Sequence, residues 1–103
     1  MVPFDYSEIV YLEADINYTI FHFYNGKKSI SPTTLKKNAD KENLQHFLRI
    51  HRSFLLNPFH IIGLRRNGKK ISVQMTDGTE LEVSRRRKPL VKHLKKQIPV
   101  SIV

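Results

Sequence analysis

Residues 47–58 read FLRIHRSFLLNP. Apolar side chains fill most of the stretch, yet Arg49, His51 and Arg52 stand in its middle. In a strand, successive side chains face opposite ways, so Arg49, His51 and Ser53 share an outer face. The same alternation sets Arg52 among Leu48, Ile50, Phe54 and Leu56. A buried, unpaired guanidinium costs too much to keep. Either the chain kinks and swings Arg52 outward, or Arg52 has an acidic partner such as Glu13.

Outward from this stretch, three turn signals order the chain. Asn25-Gly26 separates TIFHFY from KKSIS, Asn67-Gly68 separates HIIGLRR from KKISVQM, and Asp77-Gly78 separates SVQMT from TELEVS. Asn-Gly and Asp-Gly supply the positive φ angles of two-residue hairpin turns. Their flanks are rich in β-branched and aromatic residues. Ile61 to Ser84 therefore reads as a three-stranded meander. Ile71, Val73 and Met75 form the apolar side of one strand, Leu81 and Val83 that of the next. Residues 9–12, IVYL, read as an opening strand, Glu13–Asn17 as a loop, and Tyr18–Tyr24 as a second strand. Ser31-Pro32 reads as the cap and first turn of a short helix ending near Ala39, followed by a polar connection, Asp40–Asn43. Leu90, Val91, Leu94 and Ile98 stand at helical spacing, with Pro89 tolerated near the start of that helix. Arg85–Arg87 is then a turn or lead-in. The fold class is mainly β, with a short central helix and a C-terminal helix.

A chain of 103 residues fits one domain with one modest core. Its apolar content of 40% and charged content of 26% belong to a soluble globular chain. The strand-like start just after Met1 fits a domain cut from a longer chain. Without cysteine there is no disulfide frame and no thiolate metal site, which suits a reducing cytoplasm. The net charge is +9, unevenly placed. Residues 1–26 carry Asp5, Glu8, Glu13 and Asp15 without Lys or Arg; residues 27–103 carry 18 basic residues against 5 acidic ones. That imbalance favours a polyanionic partner over an anionic membrane surface.

The five histidines lack metal-site spacing, no Gly-rich phosphate loop is present, and no nucleophile motif accompanies Ser53 and His51. Neither an enzyme nor a bound cofactor is expected. Most basic residues, including Lys27, Lys28, Lys69 and Lys70, read as solvated surface near hairpin tips. Two sets differ: Arg52 interrupts an apolar run, and Arg85-Arg86-Arg87-Lys88 places four cations in succession. Such a run repels itself unless an anion lies near. Arginine's planar fork fits a guanine edge or a phosphate. Asn17 is either a turn residue or a donor–acceptor for an adenine edge.

In the order and spacing of IVYLEADINYTIFHFYNGK, SPTTLKK, FLRIHRSFLLNP and LEVSRRRKPLVKHLKK, the chain resembles the LytTR DNA-binding domains, output domains of bacterial response regulators. The resemblance spans nearly the whole chain. It implies an elongated arrangement of small antiparallel sheets, with loops entering two successive major grooves of a duplex. It also implies that HRS marks the point where the strand turns, presenting Arg52 to DNA. Base contacts then fall on Asn17, Arg52 and Arg85, and phosphate contacts on Arg86 and Lys88. The wider DNA-binding set implied is Asn17, Tyr18, His51, Arg52, Ser53, Arg85, Arg86, Arg87 and Lys88. The partners implied are double-stranded promoter DNA with repeated sites, a possible second copy on that DNA, and a fused receiver or sensor domain. An RNA-binding β module and a protein-interaction domain are the alternatives.

Overall fold

A computed structural model describes residues 5–94 and 100–102. The elements run β1 (Ile9–Asp15), β2 (Tyr18–Phe23), β3 (Lys28–Ser31), α1 (Leu35–Ala39), β4 (Leu48–His51), β5 (Phe54–Leu56), β6 (Ile61–Asn67), β7 (Lys70–Met75), β8 (Glu80–Glu82), α2 (Lys88–Leu94) and β9 (Val100–Ile102). Single 3₁₀ turns at Tyr6–Glu8, Glu42–Leu44, Pro58–His60 and Arg85–Arg87 join several of them. One sheet has five strands in the order β3-β2-β1-β5-β4, the other four in the order β8-β7-β6-β9. All pairings are antiparallel except β6 with β9. The molecule measures 43 × 25 × 21 Å. It is mainly β and elongated, as the sequence implied.

Apolar residues from both sheets meet in one core: Val10, Tyr11, Ile50 and Leu56 pack with Leu64, Val73, Met75, Leu81 and Val83. The five-stranded sheet buries its other face against the central helix, where Ile9, Leu12, Phe21 and Leu55 meet Leu35, Leu44 and Phe47. Burial on both faces explains why IVYL is apolar throughout rather than alternating. In the meander, Ile71, Val73, Met75, Leu81 and Val83 are all buried, as their alternation predicts.

Three boundaries differ from the sequence reading. Glu13–Asn17 is not a loop: β1 continues to Asp15, and only Ile16 and Asn17 turn. Glu13 tolerates the strand because its carboxylate meets His22 Nε2 at 2.9 Å across the pair. Ser31 does not cap α1. It ends β3 opposite Thr19, and its Oγ accepts from the Thr33 N–H at 3.3 Å. Thr34 caps the helix instead, accepting from the Lys37 N–H at 3.3 Å. The third difference is the segment around Arg52, which is two strands. Of the C-terminal helix positions, Ile98 lies outside the described residues.

Candidate nucleic-acid interface

FLRIHRSFLLNP folds as a hairpin, with β4 and β5 joined through Arg52 and Ser53. Leu48 faces Leu56 and Arg49 faces Leu55, but His51 already faces Phe54. Ile50 is thus an extra residue on β4, a bulge that bends the strand just before the turn. The turn has no Gly, Asn or Asp, and side chains brace it instead. Arg49 Nε donates to the His51 carbonyl at 2.9 Å and Arg49 Nη2 to the Arg52 carbonyl at 2.6 Å. The Ser53 N–H donates to His51 Nδ1 at 3.1 Å. In a neutral imidazole this places the proton on Nε2, leaving a donor. Arg52 itself is exposed at the tip. Glu13 is taken by His22, so the buried Arg52–Glu13 pair is not formed.

Sheet register brings the other segments here. Glu13 pairs with Phe54, and the Ala14 N–H donates to the Ser53 carbonyl at 2.9 Å. The Ile16-Asn17 turn therefore projects from the same end of the sheet, with Asn17 and Tyr18 exposed. On the other side, the Ser84 N–H donates to the Ile50 carbonyl at 2.8 Å. The bulged residue's carbonyl thereby anchors the chain immediately before Arg85. Arg85, Arg86 and Arg87 form an exposed 3₁₀ turn that leads into α2 at Lys88, as the position of Pro89 requires.

Asn17, Arg52 and Arg85 are 35 and 33 positions apart along the chain, yet their turns share one edge. Among the described residues the only ion pairs are His22–Glu13 and Arg65–Glu80, so none neutralises Arg49, Arg52 or Arg85–Arg87. Burial, and then the Arg87 charge, hold the Arg49 guanidinium below its ordinary pKa. It remains charged at neutral pH. Lys88 is half-buried and donates its ammonium to the Lys69 carbonyl at 2.7 Å. A cleft lined by Lys69, Lys70, Arg85 and Lys88, with Glu82 and Val83, extends the positive edge onto the second sheet. An edge like this accepts anions spaced along a line, as phosphates are on a nucleic-acid backbone.

Sequence reading placed Lys69 and Lys70 on ordinary solvated surface, because the contact of their turn with α2 is non-local. It set Arg49 on the outer face of the strand, and nothing in its spacing announces a brace for its own turn. Tyr24 and Phe59 are exposed, but Asn25-Gly26 and Pro58–His60 lie at the opposite ends of β2 and β5. Among the described residues only Tyr18 is an exposed aromatic on the cationic edge. Among the described residues no three His, Asp or Glu side chains converge as a metal site, and no helix is long and apolar enough to cross a membrane.

Comparison with solved structures finds the LytTr DNA-binding domain of a Bacillus cereus protein described as a methyl-accepting/DNA response regulator. It superposes with a TM-score of 0.73 at 23% identity, covering 91% of this chain and 86% of that one. No curated protein matches the chain in sequence. The family model described as the LytTr DNA-binding domain matches residues 1–98. With nearly its whole length matched by that model, the chain belongs to the LytTR family of DNA-binding domains.

Proposed function

We propose that the chain reads specific sequences in double-stranded promoter DNA, as the output domain of a two-component response regulator in the bacterial cytoplasm. The observation that carries this reading is the convergence of three turns, from distant parts of the sequence, on one edge of uncompensated cations. Arg52, Arg85 and Asn17 have the side chains that discriminate bases in a major groove. Arg86, Arg87 and Lys88, joined by Lys69 and Lys70, set register on the phosphates. Tyr18, His51 and Ser53 line the same edge, His51 through its Nε2 donor. The 43 Å length of the molecule exceeds one duplex turn of about 34 Å, so one domain is long enough to contact two successive major grooves. Two copies on repeated sites, and a fused receiver or sensor domain, complete the proposal.

An RNA-binding β module fits less well. Base stacking on single strands needs several exposed aromatics beside the cations, and two of the candidates, Tyr24 and Phe59, sit away from them. The deciding experiment is selection of bound sequences from random duplexes, with a single-stranded RNA pool in parallel. A duplex consensus is expected. Equal or tighter retention of single-stranded RNA overturns the proposal.

A further inference from the structure

Four described residues have a positive φ angle, and each sits in a turn after a strand. Three are glycines in Asn-Gly or Asp-Gly turns: Gly26 at 87°, Gly68 at 63° and Gly78 at 88°. The fourth is Ile16, at 54°. It is the first of the two residues joining β1 to β2, since Asp15 already pairs with Tyr18. A hairpin turn that matches strand twist wants a positive φ at its first residue, and where the second residue lacks one, as Asn17 does, that first residue is normally Gly. In a β-branched side chain this conformation crowds the Cβ substituents against the backbone.

The side chain gains nothing from the fold in return. Ile16 is 89% exposed, the most exposed of the large apolar residues described. It projects from the same sheet end as the Arg52 turn, because Ala14, two residues earlier, is bonded to Ser53. An apolar tip on a cationic edge cannot serve phosphate binding. Among the groups on the major-groove edges of the base pairs, the thymine C5-methyl is the one apolar projection. Resting on the DNA-binding proposal above, we infer that Ile16 is a specificity-determining residue that packs on a thymine methyl group in the major groove. Asn17 and Arg52 beside it supply the polar part of the same readout.

The test uses the whole chain and its best duplex from the random selection. Each thymine is replaced in turn by deoxyuridine, which lacks only the C5-methyl. Wild type is expected to lose affinity ~4-fold at one or two positions, the worth of one buried methyl group. Ile16→Asn is expected to bind the thymine and uracil duplexes equally at those positions. Ile16→Gly serves as the strain-free variant, with the same expected indifference to the methyl and a higher melting temperature. The inference is overturned if no thymine-to-uracil change weakens wild type, or if both variants keep its methyl sensitivity. Failure of wild type to prefer any duplex sequence would instead remove the DNA-reading proposal beneath it, and the two failures are distinct.

Discussion

Arg52 is displayed rather than buried because its neighbours hold the backbone for it. Arg49 bonds two carbonyls of the turn, and His51 holds the Ser53 N–H. The two arginines, three positions apart, therefore have separable roles. Arg52→Ala is expected to leave thermal stability near wild type. It should cost about 1–3 kcal/mol at the preferred duplex, and less on random duplex. A melting curve beside a binding titration reads both. A large loss of stability with discrimination intact would defeat the reading role. Arg49→Ala removes two charge-assisted hydrogen bonds and is expected to destabilise the fold by about 1–3 kcal/mol, while also weakening binding through a loosened turn. Urea unfolding checks this, and an unchanged midpoint would count against the brace. At this scale the sequence raised the right question about Arg52. Alternation alone could not answer it, because the turn carries none of the residues that mark turns, and only the family resemblance pointed to a turn at HRS.

Among elements, the β4–β5 hairpin connects both cores to the interface. Ile50 and Leu56 enter the core between the sheets, while Leu55 faces the core under the central helix. Ile50→Ala and Leu55→Ala are each expected to destabilise the domain by about 2–5 kcal/mol, as fully buried aliphatic truncations do. Phe54, half-buried, should cost less than either. Denaturant midpoints rank the three, and a Leu55 effect near zero would contradict burial on both faces. The meander was legible because Asn67-Gly68 and Asp77-Gly78 punctuate strictly alternating strands. The β1 boundary was not, because Glu13 and Asp15 look like loop residues until the His22 partner across the sheet is known. The Ser31 cap failed for a related reason, since pairing with Thr19 had already placed that residue in a strand.

At the scale of the molecule, the charge asymmetry seen in the sequence becomes a located edge. If about six to eight phosphates are neutralised, log K for duplex binding should fall with log salt at a slope of roughly −5 to −7. A slope near zero would remove the phosphate contacts. The clustering of Asn17, Arg52 and Arg85 could not be read from spacing, because it depends on sheet register and on the Ser84–Ile50 hydrogen bond. The central claim, that these turns form one duplex-binding edge, is tested most directly by backbone amide chemical shifts of the labelled protein during titration with its selected duplex. The changes should concentrate at residues 15–18, 51–53, 67–70 and 84–88, and leave the opposite turns at 25–26, 57–60 and 77–78 unmoved. Changes centred on those opposite turns, with 51–53 and 84–88 silent, would contradict it.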